Sequence, residues 1–244
     1  MRLMMMHRTN AYWEAGAAPS LELIARVGKL MGAMAEARAL VGAEGLRASS
    51  QGVRLQFSGG KGTATKGPFN ASNELPAGFA ILRVQSIEEA IEWASRFANV
   101  MGNAEIDIRP VTEPWDIGIS PKPAGLTTRR FMALHKADAA SEAGVAPTPK
   151  QIAEMGRLIE EMTTSAGVLI TTEGLQPSSK GVRFKFAGSK HSVTDGPFTE
   201  SKELIAGYVI LEARSLQDAM EWAPRYGTAV GCSELDVRPL VEKS

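Results

Sequence analysis

The chain has 244 residues, of which 44% are hydrophobic and 22% are charged, a composition typical of globular proteins. Its 27 basic residues balance 27 acidic ones, so no excess charge favours nucleic acid or an anionic membrane surface, and we expect neither as a partner. No run approaches the roughly 20 apolar residues that span a bilayer, and the apolar start of the chain is too short for an export signal.

Cysteine and histidine usage bounds the chemistry further. The single cysteine, Cys232, cannot form a disulfide within the chain, and no cysteines and histidines occur at the spacing of a zinc site. No glycine-rich phosphate loop appears either. We therefore expect a cytoplasmic protein that is stabilised by packing and uses no metal or other cofactor.

The chain contains an internal duplication. Corresponding segments follow one another in the same order, which chance similarity does not produce over so long a span. The clearest pairs are Glu44-Gly45-Leu46 with Glu173-Gly174-Leu175, Gly67-Pro68-Phe69 with Gly196-Pro197-Phe198, and Glu92-Trp93-Ala94 with Glu221-Trp222-Ala223. The pattern predicts a first unit over residues 1–111, a proline-containing linker over 112–127 in which Trp115 docks on a domain surface, and a second unit over 128–244.

Each repeat begins with a predicted strand, Leu3–Arg8 in the first copy and Phe131–Lys136 in the second. A helix follows, with Ser20 or Thr148 as its N-cap, and apolar residues at helical spacing give it one buried stripe. That stripe is expected to face a sheet.

The remaining elements are clearest in the second repeat. Short strands are predicted at Val168–Ile170 and Val182–Phe186, and a longer β-rich run covers Leu204–Ala213. Ser215 then begins a second helix, and Glu234–Pro239 forms a last strand.

The order strand, helix, strands, helix, strand is that of the ferredoxin-like split βαβ plan, in which both helices cover one sheet face. The opposite face is also apolar and needs a second layer, for which the other repeat is the obvious candidate. The sequence therefore predicts an α+β protein of two ferredoxin-like units, packed sheet to sheet as a pseudo-twofold dimeric α/β barrel. The whole chain could also pair as a homodimer.

The second repeat contains Asp195-Gly196-Pro197-Phe198, followed by Thr199-Glu200-Ser201-Lys202 and preceded by Glu173-Gly174-Leu175-Gln176-Pro177. On these residues it resembles the YCII-related, or DGPF-domain, family of small bacterial proteins in the dimeric α/β-barrel superfamily. The first repeat resembles the family less closely, because Lys66 replaces the motif aspartate and Asn73 replaces Lys202. The resemblance implies a ferredoxin-like fold and pairing of units. Relatives in the superfamily include cofactor-free lyases and isomerases, and some family members accompany sigma factors as regulatory proteins.

Two of the three histidines, His7 and His135, occupy equivalent places near the end of the first strand of each repeat. An imidazole that projects from a sheet edge into a cavity can move a proton, so His135 is a candidate catalytic acid or base and His7 a candidate substrate-binding residue. The alternative is that both are hydrogen-bonded, partly buried histidines without a chemical role.

Further candidates come from the second repeat. Asp195 and Glu173 are candidate catalytic carboxylates, although an aspartate before Gly-Pro more often fixes a turn. Arg183 and Tyr208 are candidate substrate-binding residues; an exposed ion pair is the alternative for Glu173 and Arg183.

The last strand of each repeat carries charged residues to which we assign no chemical role. Asp107 and Arg109, like Asp236 and Arg238, alternate along such a strand and are expected to form pairs on its outer face.

Three functions fit these observations. The first is a cofactor-independent enzyme that performs lyase-type or isomerase-type acid–base chemistry on a small organic molecule, in a cavity of the second unit or between units. The second is a non-catalytic ligand-binding or regulatory protein. The third is a purely structural pairing of units.

Overall fold

The computed structural model describes residues 1–69, 74–188, 190–198 and 202–242. Asn73 and Thr199, Glu200 and Ser201, which enter the resemblance above, lie outside the described residues. In chain order the elements are β1 (Arg2–Arg8), α1 (Ala11–Glu14), α2 (Leu21–Glu36), β2 (Leu40–Gly45), β3 (Val53–Ser58), β4 (Lys61–Lys66), β5 (Pro76–Val84), α3 (Ile87–Met101), β6 (Ala104–Pro110), β7 (Arg129–Lys136), α4 (Ala139–Glu142), α5 (Pro149–Glu160), β8 (Leu169–Gly174), β9 (Val182–Ala187), β10 (Lys190–Asp195), β11 (Ile205–Glu212), α6 (Leu216–Val230) and β12 (Glu234–Pro239).

The described residues divide into two compact units, each with its own six-stranded antiparallel sheet. Unit 1 comprises residues 1–45, 71–75 and 175–244, and unit 2 comprises 46–70 and 76–174. The strand order is β10-β9-β12-β1-β11-β2 in unit 1 and β4-β3-β6-β7-β5-β8 in unit 2.

The four strands β12-β1-β11-β2 have the order and antiparallel pairing of the ferredoxin-like plan, and so do β6-β7-β5-β8. The predicted α+β class with two ferredoxin-like units is confirmed. Each unit carries in addition one hairpin, β9-β10 or β3-β4, at the edge of the sheet.

The compact units differ from the repeat boundaries. Unit 1 takes β1, α2 and β2 from the first repeat and β9 to β12 with α6 from the second. Unit 2 has the reciprocal composition. In unit 1, β1 pairs with both β11 and β12. The first strand of the first repeat therefore lies in a sheet between two strands from the second half of the second repeat.

The hairpin strands β4 and β10 were not predicted. Every residue of both strands is exposed, so neither shows the alternation of apolar and polar residues that identifies a half-buried strand. His191 lies on β10.

The predicted helix starts are confirmed. The side chains of Ser20, Thr148 and Ser215 accept hydrogen bonds from the amides of Leu23, Gln151 and Asp218. Thr148 and Gln151 form the reciprocal capping box that their spacing predicts.

Each unit has a separate apolar core between its sheet and its helices. In unit 1, Leu3 and Met5 of β1 pack with Ala219 and Ala223 of α6 and with Met34 of α2. The corresponding core of unit 2 includes residues of β5, β6, α3 and α5. The alternate β1 residues Met4 and Met6 are fully buried as well, so both faces of this strand are buried.

The connector between the repeats is fastened to the start of β7. The buried carboxylate of Glu113 accepts hydrogen bonds from Arg130, with a shortest separation of 2.8 Å between Oε2 and Nη2. Asp116 pairs with the neighbouring Arg129. Trp115 is partly buried beside these ion pairs, in a short 3₁₀ turn.

Among the described residues, no helix is long and apolar enough to cross a membrane.

The Gly-Pro-Phe segment shared by both repeats has a packing function. A Cβ atom on Gly196 would lie 1.8 Å from the carbonyl oxygen of Ser178, so only glycine fits there. The Ser178 hydroxyl accepts a hydrogen bond from the amide of Phe198 at 3.0 Å, which fixes the backbone at Phe198. That ring lies against the guanidinium of Arg183, 4.3 Å from its centroid.

We expect Gly196→Ala to destabilise the protein strongly, by more than about 3 kcal/mol, because the new methyl group would overlap buried backbone. Gly28→Ala is the matched control, since Gly28 lies within α2 and a Cβ there meets no atom within 4 Å. That change should stabilise the protein slightly, by up to about 1 kcal/mol, through better helix propensity. Urea unfolding of both variants measures the difference, and equal stability would contradict the steric argument.

Candidate functional site

An open cleft of about 560 Å³ lies in unit 2, at the end of β7. Its lining includes His135, Lys136 and Asp138 together with Gln56, Lys61 and Glu105. The first group belongs to the second repeat and the second group to the first repeat. The cleft therefore exists only because the halves of the two repeats combine within unit 2.

His135 is held by its strand and by α3. It pairs with Gly78 of β5 and Ile106 of β6, and the ring of Phe97 meets it edge-on with the centroids 5.2 Å apart. Burial lowers the pKa of His135 below its ordinary value, and the nearby carboxylate of Asp138 opposes part of that effect. The imidazole is therefore neutral near pH 7 and can accept a proton.

His7, the equivalent residue in unit 1, is in a different environment. Its Nδ1 lies 2.8 Å from the hydroxyl of Tyr226 and forms a hydrogen bond with it. Tyr226 occupies the position in unit 1 that Phe97 has in unit 2. Burial, with a smaller contribution from the cation of Arg8, lowers the pKa of His7 to about 4. Unit 1 also places the Phe186 ring so close to Gly227 that no side chain would fit there.

Unit 1 contains a buried cluster of charges beside His7. The Asp236 carboxylate lies 2.5 Å from Nη2 of Arg8 and 2.6 Å from Nε of Arg183. Burial alone would raise the pKa of Asp236, but the two guanidinium groups outweigh it and hold that pKa below its usual value. Glu234 lies 3.2 Å from Arg183 and adds a second carboxylate.

Unit 2 contains the corresponding cluster beneath the cleft. Asp107 binds Arg54 through two hydrogen bonds of 2.7 and 2.9 Å, and its Oδ2 lies 3.0 Å from Nζ of Lys136. Lys136 thus takes the place that Arg8 has in unit 1. Phe69 lies against Arg54 as Phe198 lies against Arg183.

These clusters overturn the prediction of outer-face pairs on the terminal strands. Asp107 and Asp236 are buried, and their partners come from the strands on both sides, β3 and β7 for Asp107 and β9 and β1 for Asp236. Arg109 instead donates to the backbone carbonyl of Arg47, and Arg238 donates to that of Gln176. The alternative of an exposed ion pair for Arg183 is likewise wrong, because its partner Asp236 is fully buried.

The structure separates the remaining candidate residues. Asp195 is exposed at the end of β10 in unit 1, and its counterpart Lys66 is exposed at the end of β4. Tyr208 is buried in β11 of unit 1, where it pairs with Glu44 and Met6. Glu173 is buried in β8 of unit 2, opposite Phe79. None of Asp195, Tyr208 and Glu173 lines the cleft with His135.

Sequence reasoning missed the residues that accompany His135. Lys136 and Asp138 lie one and three residues after His135, and their difference from Arg8 and Asn10 was the available signal. Gln56 and Glu105 could not have been found, because they come from the other repeat and reach the cleft only through the pairing of β6 with β7.

Cys232 is a buried free thiol, and burial raises its pKa to about 12, so it is protonated near neutral pH. Within the described part of the chain, no group of three or more histidine, cysteine, aspartate or glutamate residues could hold a metal ion.

Replacement of Asp236 tests the buried cluster. In Asp236→Asn, Arg8 and Arg183 lose their common anion while remaining buried, and we expect unfolding free energy to fall by about 3–5 kcal/mol. Lys150→Gln is the control, because Lys150 forms an exposed pair with Glu154 at 3.9 Å, and it should change stability little. Denaturant unfolding measures both, and equal effects would contradict a structural role for the cluster.

His7 should make stability depend on pH. The unfolded chain protonates this histidine near its ordinary pKa of 6.5, whereas the folded protein does so only near 4. Acidification across that window therefore lowers the unfolding free energy, by up to about 3 kcal/mol, and raising the pH restores it.

We expect His7→Gln to flatten this dependence, since glutamine does not titrate. Urea unfolding at several pH values between about 4 and 7 measures the slope, and His191→Gln, which removes an exposed histidine, should keep it. An unchanged slope in His7→Gln would contradict the burial of a neutral imidazole.

Comparison with known proteins places the chain in a family. The family model described as "YCII-related domain" matches residues 1–115 and again residues 130–240. A relative, "Uncharacterized protein R00369" of Rhizobium meliloti (strain 1021), is 28% identical over 83 residues, which cover 34% of this chain and 67% of the relative. No solved structure matches the chain. The two matches together span most of the sequence, and the chain therefore belongs to the YCII-related family, as a tandem duplication of its domain.

Proposed function

We propose that the protein is a cofactor-independent enzyme that performs lyase-type or isomerase-type acid–base chemistry on a small organic molecule. The proposed site is the cleft of unit 2, with His135 as the group that accepts and returns a proton. The observation that carries this proposal is the position of His135, a histidine in its neutral form, on the wall of a cleft lined by polar side chains.

The chemistry follows from the state of the ring. A neutral imidazole has a free lone pair, so it can remove a proton from a carbon or oxygen atom near pH 7 and then return it elsewhere on the substrate. Proton transfer of this kind requires no redox partner. Burial favours release of the proton again, because it disfavours the charged imidazolium.

The contrast between the units supports the assignment to unit 2. His7 is engaged by Tyr226, whereas the equivalent contact of His135 is the plain ring of Phe97. A phenyl ring offers no conventional hydrogen-bond partner, and none of the described residues hydrogen-bonds to the His135 ring, so its nitrogens are available to a ligand.

The lining of the cleft suggests a small polar substrate. The side chains of Lys61 and Thr63 offer hydrogen-bond donors, while the Asp138 carboxylate offers an acceptor. A carbonyl compound with a second polar group suits both sets. The sequence also suggested five other residues that would act on the substrate. None of them lines this cleft: Asp195, Glu173, Arg183, His7 and Tyr208.

The setting that we propose is the cytoplasm, with a small organic molecule as the partner rather than nucleic acid or a membrane. The balanced charge and the single free thiol support it.

Deuterium exchange tests the proposed chemistry directly. Pyruvate, acetoacetate and acetylacetone would each be incubated with the protein in D₂O, and loss of the carbon-bound proton followed by proton NMR. We expect protein-dependent exchange for at least one compound, and His135→Gln should slow it on the order of 10²-fold.

His191→Gln is the matched control, because it removes a histidine that lies outside the cleft, on the exposed strand β10. It should exchange at the wild-type rate. Equal exchange in wild type and His135→Gln would contradict the catalytic role of His135. Shifts of the His135 ring resonances on addition of a compound, without exchange of any compound, would instead indicate a ligand-binding protein.

A further inference from the structure

Asp138, two residues beyond the end of β7, lines the cleft and is fixed in place by local hydrogen bonds. Its Oδ1 accepts a hydrogen bond from the amide of Ser141 at 2.8 Å, and the hydroxyl of Ser141 accepts one from the amide of Asp138 at 2.9 Å. This reciprocal capping box begins the short helix α4 and fixes Asp138, which lines the same cleft as His135.

Three other charged residues line the cleft around His135. Lys136 on β7 lies 3.0 Å from Asp107, and Glu105 on β6 lies 3.6 Å from Arg54, so opposite charges already compensate both. Lys61 on β4 is exposed to water. Among the residues that the structure describes, no lysine or arginine forms an ion pair with Asp138, so its negative charge is available to the imidazole.

We propose that Asp138 acts through His135 in this cleft: its carboxylate stabilises the imidazolium formed when His135 takes a proton from the substrate. The inference rests on the proposed function. The proton moves from a carbon or oxygen atom of the substrate to a ring nitrogen of His135, the bonding electron pair stays on the substrate, and the proton is returned in the second half of the reaction.

The effect of Asp138 on the pKa of His135 agrees with a role in stabilising the imidazolium. Burial lowers the pKa of His135, and Asp138 acts in the other direction. Hydrogen bonds within the capping box lower the pKa of Asp138, so its carboxylate stays ionised when His135 titrates.

The corresponding residue of unit 1 indicates a substitution that would remove only the negative charge of Asp138. Asn10 occupies the equivalent position, and its side-chain oxygen accepts a hydrogen bond from the amide of Trp13 at 3.0 Å, so asparagine caps this short helix as well. Asp138→Asn should therefore keep the local fold and remove the carboxylate. Asp138→Ser is a second variant of the same kind, since serine is also a good N-cap.

The experiment is an NMR titration of the His135 ring protons in the full chain. We expect His135 to titrate at lower pH in Asp138→Asn and in Asp138→Ser than in the wild type, because the imidazolium loses its neighbouring anion. Ser141→Ala, which removes one half of the capping box and keeps the carboxylate, should titrate close to the wild type.

Salt provides a measurement without any substitution. If the carboxylate stabilises the imidazolium, added NaCl screens the attraction, and the titration of wild-type His135 moves to lower pH. For a compound that exchanges deuterium, the acid limb of the rate profile should move to lower pH in Asp138→Asn, and kcat should fall by at most about tenfold.

The titration separates this inference from the proposed function. An unchanged His135 titration in both Asp138 variants, together with no effect of salt on the wild type, would overturn the role of Asp138 whatever the exchange assay shows. Wild-type exchange in His135→Gln would instead overturn the proposed function, and a lower titration in Asp138→Asn would still establish the electrostatic coupling.

Discussion

A buried carboxylate between two cations is the interaction on which each unit depends. In unit 1, Asp236 of β12 joins Arg8 of β1 to Arg183 of β9, so one carboxylate ties three neighbouring strands together. Burial of these charges is tolerated because each has a partner within hydrogen-bond distance. The Gly-Pro-Phe segment supports the arrangement from the side, since its phenyl ring covers the guanidinium of Arg183. This segment, which both repeats contain, thereby stabilises the charge cluster.

The same cluster defines where the two units diverge. Unit 2 keeps the carboxylate and the covered arginine but has Lys136 where unit 1 has Arg8. Next to that residue, His135 lines the cleft, whereas His7 is engaged by Tyr226. The two potential sites are therefore not equivalent. The intact Asp195 motif and the accessible histidine, although both come from the second repeat, lie in different compact units.

Much of the local structure was predictable because it depends on residues close in sequence. The caps at Ser20, Thr148 and Ser215 were identified from spacing alone, and the two histidines were correctly placed near the ends of equivalent strands. The partners of Asp107 and Asp236 were not predictable, because alternation along one strand gives the face on which a side chain lies but not the neighbouring strand that meets it. The exposed strands β4 and β10 were not predicted because they lack an apolar face.

The sequence by itself determined the duplication, the α+β class, the ferredoxin-like order of elements and the candidate histidines, since these follow from periodicity, capping and internal similarity. Only the tertiary structure decided which halves of the repeats combine and which residues surround His135. Strand pairing between β6 and β7 joins residues far apart in the chain, so it brings Glu105 of one repeat beside His135 of the other. Each half of one repeat has the same sequence pattern as the corresponding half of the other repeat. Similarity between the repeats therefore could not show that each compact unit combines halves of both.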